Sequence, residues 1–267
     1  MSDKQQNDNT TDSSKDGVID FSKIKTGGTF LTNVVGSEKV FCKELFSEEE
    51  KMIYEAMRDF ATNELLPLSQ NELNKKDEKL IRKLVEQMGE LGFLGIDVPE
   101  KYGGSEMTKT GMCILAEGIS FCGSPSFCTV WNVQTSIGSL GIIWYGNDEQ
   151  KKKWLPGICS GEKITAFGLT EPEAGSDATN SKTTGVLSDD GKHYILNGQK
   201  IFISNGAWAD TVIVALKIDG KFSSIVVEKG TPGFEIGKEE KKMGMEGSST
   251  VPSVSYTHLR AHETHEH

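Results

Sequence analysis

The sequence lacks the long hydrophobic runs and the basic stretches that would direct it to a membrane or to nucleic acid. No stretch of about 18 consecutive apolar residues occurs, and the N-terminus has neither the basic nor the apolar segment of a signal peptide. Basic residues are outnumbered, since 29 Lys and Arg face 39 Asp and Glu and give a formal net charge of −10. This balance argues against a phosphate-backbone partner. We therefore expect a cytoplasmic globular protein that has no membrane span and binds no nucleic acid.

The sequence also lacks the cysteine and histidine spacing of a disulfide framework or a metal centre. The five cysteines have no C-x-x-C spacing and are expected to be buried free thiols. Four of the five histidines lie in the last ten residues, where an exposed tail cannot preorganise a metal site. The sequence also lacks the G-x-G-x-x-G and Walker A motifs, so any bound dinucleotide must be held by another device.

Composition and periodicity divide the chain into four parts. Residues 1–40 form a polar tail that is expected to be disordered or extended. Residues 41–160 show helical periodicity, and residues 161–254 show β-branched runs separated by Gly, Asn and Asp turns. Residues 255–267 show no strand-like pattern and are expected to lie outside the fold. Helices first and strands second, without alternation, indicate an α+β class with an N-terminal all-α domain and a small β-domain.

Local signals place most of the individual elements. A capping box at Ser47–Glu50 begins an amphipathic helix that ends before Pro67, and further helices are expected over 77–91, 108–121, 127–145 and from 148. Strands are expected at Ile164–Leu169, Lys182–Leu187, His193–Leu196, Lys200–Ser204, Thr211–Ile218, Phe222–Val227 and Phe234–Ile236. The Asn197–Gly198 pair, which separates two of these strands, predicts a tight hairpin turn.

Two strand ends carry clusters of hydroxyl groups. The first stretch, Phe167–Asp177, ends an apolar run with Thr170, Pro172, Gly175 and Ser176, which suits a loop whose backbone comes close to a ligand. By composition alone the same stretch would also fit an ordinary turn after a strand. The second stretch, Asn197–Gly206, contains an aromatic residue and ends its strand in another hydroxyl. The two clusters are therefore predicted to face one ligand.

Taken together, L-T-E-P-E-A-G-S-D in the first stretch and G-Q-K-I-F-I-S-N-G in the second closely resemble the two flavin-contacting signatures of the acyl-CoA dehydrogenase family. The resemblance covers about Phe30 to Val254, and Gly27–Leu31 is similar to a segment of the very-long-chain branch. It implies an N-terminal helical domain followed by a β-barrel-like domain, with FAD as cofactor and an acyl-CoA thioester as substrate. It also implies an electron-transfer flavoprotein as electron acceptor and a homo-oligomeric full-length form.

The resemblance assigns roles to particular residues. It implies that Phe167 through Ser176 line the flavin ring, with Thr170 bonding near its pyrimidine side and Ser176 also contacting the CoA portion. It further implies that the aromatic ring of Phe202 packs on the flavin and that the Ser204 hydroxyl reaches N5. The full set of expected cofactor-binding residues is Phe167, Leu169, Thr170, Gly175, Ser176, Phe202, Ile203 and Ser204.

This chain departs from the family pattern after Val254, where the family's C-terminal helical domain is expected and a histidine-rich sequence follows instead. In the family that domain supplies the glutamate that removes the α-proton, so we assign no catalytic residue within this chain and expect the fragment to be inactive. An acyl-CoA oxidase would share the same flavin loop. A non-catalytic flavin-binding or acyl-CoA-binding fragment also remains open.

Overall fold

The computed structural model describes residues 43, 46–69 and 71–261, with side chains as far as residue 253. The chain divides into two compact units, Met1–Phe46 and Ser47–His267, and every element below belongs to the second. Three predictions fall outside the described residues. They are the tail over 1–40 with its Gly27–Leu31 motif, the thiol of Cys42, and the four C-terminal histidine side chains.

The first part of the second unit is helical, as the periodicity predicts. Its α-helices are α1 Glu48–Phe60, α2 Glu78–Glu90, α3 Lys109–Ile119, α4 Pro125–Thr135, α5 Leu140–Tyr145 and α6 Asp148–Cys159. The predicted capping box opens α1, because the Ser47 Oγ accepts a hydrogen bond from the Glu50 N–H at 3.1 Å and the Glu50 carboxylate accepts one from the Ser47 N–H at 2.9 Å. The α3 helix packs closely on α1 at Gly118, where a Cβ would come within 2.8 Å of Met57. No helix in the described part of the chain is long and apolar enough to cross a membrane.

The single helix predicted over 127–145 is wrong, because the chain breaks into α4 and α5. The α4 helix ends at Thr135, and Ser136 leaves the helical region with φ −123° and ψ −101°. At Gly138 a Cβ would lie 2.3 Å from the Thr165 Oγ1 and 2.7 Å from the Val133 carbonyl oxygen. The close approach of the first strand therefore requires glycine at this break.

The second part is one seven-stranded sheet. Its strands are β1 Thr165–Gly168, β2 Thr184–Leu187, β3 Tyr194–Ser204, β4 Thr211–Ile218, β5 Lys221–Glu228, β6 Phe234–Ile236 and β7 Thr250–Ala261, in the hydrogen-bonded order β1-β4-β2-β3-β7-β6. The β5 strand pairs along the whole of β4, so β1 and β2 share the opposite edge of β4. A helical domain followed by a β-sheet domain confirms the predicted α+β class.

The hairpin predicted at Asn197–Gly198 is wrong, since β3 runs without interruption from Tyr194 to Ser204. Its pairing with β7 shifts register between Leu196 and Gly198, so the Asn-Gly pair forms a bulge instead of a turn. A Cβ on Gly198 would lie 2.3 Å from the Thr183 Oγ1, which explains the glycine. The two-residue hairpin occurs at Asp219–Gly220, where both φ angles are positive and β4 turns into β5.

Two further predictions need correction. The segment after 254 was expected to be non-strand, but β7 continues to Ala261 and pairs with β3 at Leu196↔Leu259 and Tyr194↔Ala261. The edge of β3 supplies backbone partners, and pairing does not require an alternating apolar pattern. The thiol of Cys113 lies exposed on α3, in contrast to the buried thiols of Cys122 and Cys159.

Candidate functional site

The structure brings the two predicted hydroxyl clusters together at one end of the sheet. The chain leaves β1 at Gly168 and enters a loop that we call the Thr170 loop, residues 169–177. The backbone N–H of Ile201 in β3 donates to the Thr170 carbonyl oxygen at 2.8 Å. Within the loop, Glu171 and Ala174 exchange backbone hydrogen bonds of 3.0 and 3.2 Å, which close a tight turn around Pro172.

A buried ion pair joins the Thr170 loop to β3. The Lys200 Nζ lies 2.7 Å from the Glu171 Oε1, and the two side chains are only 2% and 5% exposed. The same ammonium group donates to the Leu169 carbonyl oxygen at 3.0 Å. Sequence reasoning missed this pair, because a lysine in a strand and a glutamate in a loop both resemble surface residues.

The Glu171 carboxylate is also held from the opposite side. It accepts hydrogen bonds from the backbone N–H groups of Lys182 and Thr183 and from the Thr183 hydroxyl. Burial raises the pKa of Glu171, but the hydrogen bonds from Lys200, Thr183 and Lys182 outweigh burial and hold this pKa at about 2. A carboxylate with so low a pKa and so many donors is a poor general base.

Phe202 has the most unusual backbone in the site. Although Phe202 lies inside β3, its φ is +58°, in the left-handed region that a bulky residue rarely adopts. The ring is 59% exposed, whereas the next residue, Ile203, is completely buried in the β-domain core. The pairing of β3 with β7 shifts register between Lys200 and Ile203, which shows that Phe202 changes the phase of the strand. An aromatic ring is thus presented outward at the end of β3.

Asn205 anchors the strand end that carries Ser204. Its side-chain amide donates to the carbonyl oxygens of Val130 in α4 at 3.1 Å and Thr165 in β1 at 3.3 Å. Its backbone N–H donates to the Ser249 carbonyl oxygen at 3.1 Å, and its own φ is +63°. Asn205 therefore ties the end of β3 to α4, to β1 and to the residue before β7.

The eight predicted site residues differ in what they offer to a ligand. The hydroxyl groups of Thr170, Ser176 and Ser204 make no hydrogen bond within the described part of the chain, so all three are available. Ile203 has its side chain in the core and offers only its backbone. The space beside Gly175 is open, since a Cβ there would meet nothing within 4 Å. Of the others, Phe202 is exposed, while Phe167 and Leu169 are half-buried.

An apolar groove of about 520 Å³ opens beside Phe167. Its aromatic rim on α5 is formed by Trp144 and Tyr145, which are 58% and 64% exposed. The rest of the lining comes from α4–α5 and from β4 and β5, and includes Ile137, Leu140, Ile213, Ala215 and Phe222. Sequence reasoning did not find this groove, because it depends on how α5 packs on the sheet.

Comparison with known proteins finds two matching family domains. Residues 47–162 match the model of the acyl-CoA dehydrogenase N-terminal domain, and residues 166–255 match that of the middle domain. A probable acyl-CoA dehydrogenase of Bacillus subtilis is 46% identical over 228 residues, which are 85% of this chain and 38% of that protein.

Solved structures give the same result. An acyl-CoA dehydrogenase from Bacillus anthracis, complexed with FAD, superposes with a TM-score of 0.82 at 44% identity, over 89% of this chain and 41% of that one. Butyryl-CoA dehydrogenase from Megasphaera elsdenii gives a TM-score of 0.71 at 31% identity, over 82% of this chain and 58% of that one. The chain thus spans between about two fifths and three fifths of the length of these relatives.

Proposed function

Because the chain belongs to the acyl-CoA dehydrogenase family, we propose that it forms the FAD-holding part of an enzyme that dehydrogenates acyl-CoA thioesters at the α and β carbons. The observation that carries this proposal is the junction of the Thr170 loop with the end of β3. There, three available hydroxyl groups and an outward-facing aromatic ring lie on segments that are bonded to each other. The chemistry supplied by bound FAD is the acceptance of a hydride from the β carbon.

The residues present fit such a cofactor. The exposed ring of Phe202, held in a strained backbone, provides a face for a flat heterocycle. The hydroxyls of Thr170 and Ser204 supply polar contacts to its edge, and the open space at Gly175 leaves room for close backbone approach. We assign the cofactor contacts to Phe167, Leu169, Thr170, Gly175, Ser176, Phe202, Ser204 and the backbone of Ile203.

The apolar groove beside Phe167 suits the acyl chain of the substrate. Its volume and its lining of Trp144, Ile137 and Phe222 match an alkyl group better than a polar ligand. We assign Ser176, which is exposed on the Thr170 loop, to the CoA portion. If the acyl chain lies in this groove, Trp144→Ala will change the preference among acyl lengths, and Tyr54→Ala, a distant aromatic truncation on α1, will not.

Proton removal needs a base that we do not assign to the described residues. An α-proton of a thioester leaves at neutral pH only with a base in hydrogen-bond reach. Glu171 is held by four donors and has a pKa of about 2, so it does not serve. The proposal therefore includes a base from another part of the complete enzyme. From the family resemblance, it also includes an electron-transfer flavoprotein as the electron acceptor and a homo-oligomeric complete form.

The first test is a titration of the 267-residue chain with FAD, followed by its visible spectrum. We expect stoichiometric binding, which Thr170→Ala and Ser204→Ala weaken and which the remote hydroxyl truncation Thr231→Ala leaves intact.

The second test is anaerobic mixing of the FAD-loaded chain with acyl-CoA of several lengths. We expect at most slow bleaching, and bleaching at the rate of an intact enzyme would show that the base lies in this chain. Oxygen consumption by the complete protein would indicate an oxidase.

A further inference from the structure

The buried ion pair between Lys200 and Glu171 has a place in the site that the family-based roles leave unused. We propose that these are positioning residues, which lock the Thr170 loop onto β3 and so hold the two flavin-contacting segments in register before FAD binds. The inference rests on the proposed function for the identity of the ligand. Its structural part, the locking of the loop, stands on the contacts of this chain alone.

The ion pair holds the residues on both sides of Thr170. Lys200 donates to the carbonyl oxygen of Leu169, the residue before Thr170, and pairs with Glu171, the residue after it. Between these two contacts, the carbonyl oxygen of Thr170 accepts a hydrogen bond from the backbone N–H of Ile201 in β3. A shift of the loop would have to break three bonds to two consecutive residues of one strand.

The same pair reaches a third segment. The carboxylate of Glu171 accepts from the backbone of Lys182 and Thr183, the residues that lead into β2. Lys200 lies two positions before Phe202 in β3, and the left-handed backbone of Phe202 changes the phase of this strand. In this proposal the ion pair holds together the two backbone segments that carry the Thr170 hydroxyl and the Phe202 ring.

Stability alone does not explain two charges at this depth. Taking a carboxylate and an ammonium group out of water is unfavourable, and neutral side chains of similar volume often stabilise a fold equally well. Removal of one partner is damaging, because the other charge is left buried without compensation. What a neutral pair could not reproduce here is the set of directed hydrogen bonds to Leu169, Lys182 and Thr183, and those bonds define where the loop lies.

The experiment compares Lys200→Met, Glu171→Gln and the double variant in the 267-residue chain. Leu115→Ala, which truncates a fully buried side chain in the core of the helical part, is the control for lost stability. For each protein the thermal midpoint, the hydrogen exchange of amides 169–183 and 201, and the FAD dissociation constant are measured. We expect both single variants to lose thermal stability. We expect the double variant to recover most of it, because no unpaired charge remains.

The decisive result is whether FAD binding follows stability. A positioning role predicts that the double variant still exchanges its loop amides faster than wild type and binds FAD about tenfold more weakly or worse. Leu115→Ala should lose stability while keeping wild-type exchange in the loop and wild-type FAD affinity. If FAD affinity recovers together with the thermal midpoint in the double variant, the pair is only a stability element and the inference is overturned.

Failure of the proposed function is a separate outcome. If wild type binds no FAD, the function proposed above is wrong for this chain, and hydrogen exchange decides the positioning role by itself. Faster exchange confined to 169–183 and 201 in the double variant would still support the lock. Unchanged exchange there would refute it.

Discussion

The positive φ of Phe202 predicts an inverted order of stability for alanine and glycine at this position. A left-handed backbone costs a residue with a Cβ roughly 1–2 kcal/mol, whereas glycine adopts it without strain. Glycine also loses more chain entropy on folding, which ordinarily makes it about 0.5–1 kcal/mol worse than alanine in a strand. The difference favours glycine at Phe202, so Phe202→Gly should be more stable than Phe202→Ala by about 0.5–1 kcal/mol.

Urea unfolding of the FAD-free chain measures this difference, since neither variant has a ring and the lost burial is the same for both. The matched control is Gln199, an exposed residue of β3 whose φ is not positive. There, Gln199→Ala should be more stable than Gln199→Gly by about 0.5–1 kcal/mol, the ordinary order. If alanine is favoured at both positions, Phe202 does not hold a left-handed backbone in solution and the account of its ring presentation fails.

The same pair of variants separates strain from ligand binding. Both Phe202→Gly and Phe202→Ala should lose FAD affinity, although glycine relieves the strain, because both lack the aromatic face. Phe202→Trp keeps a π-face and should retain FAD. A glycine variant with wild-type FAD affinity would show that the exposed ring does not contact the cofactor.

Three further outcomes follow from single contacts. Thr170→Ala and Ser204→Ala should each weaken FAD binding by about 0.5–1.5 kcal/mol, as a lost neutral hydrogen bond does, and an unchanged flavin spectrum in both would contradict the assignment. Because the pKa of Glu171 is lowered from 4.5 to about 2 in the folded state, its carboxylate stabilises the fold fully at pH values above 4.5. This stability is lost as the pH falls toward 2. Urea unfolding between pH 6 and 3 should therefore show a steeper loss for wild type than for Glu171→Gln, and parallel curves would refute the linkage. Gly198→Ala should destabilise the fold by about 1–3 kcal/mol, because its Cβ would lie 2.3 Å from the Thr183 Oγ1, and a wild-type thermal midpoint would count against that packing.

The helices were the most predictable part of the fold, because their signals are local. The capping box at Ser47 and the aspartate at position 77 begin α1 and α2 within one residue of the expected starts. The strands Thr211–Ile218 and Phe234–Ile236 also have the predicted ends. In each case the residues that define the boundary belong to the element itself.

Errors arose where a distant segment decides the local structure. Asn197–Gly198 has the composition of a hairpin turn, but β2 and β7 pair on the two sides of β3 and keep the chain extended there. The break at Gly138 depends on contact with Thr165, 27 positions away along the chain. No pattern within either segment records these partners.

In the candidate site, the residue types could be predicted from the sequence, but their arrangement could not. The hydroxyl and aromatic residues that we assign to the ligand were predicted from the two signatures, but the ion pair that joins those signatures was not. One signal was available in the spacing of apolar residues. Leu196 and Ile203 are both buried but are separated by an odd number of positions, so a regular two-residue alternation cannot bury both.

The residues that violate local rules gather at the end of β3, which is itself an argument for function there. Among non-glycine residues with positive φ in the described part of the chain, Phe202 lies inside a regular element, whereas the others lie in connections. Asn205, three positions later, is fully buried, and its side-chain Oδ1 has no hydrogen-bond partner within the described part of the chain. Lys200, two positions earlier, is a buried charge. Such violations persist only where the surrounding structure over-determines them, and they concentrate at binding sites. Three of them within six residues therefore indicate, without reference to any relative, that the end of β3 is shaped for a ligand.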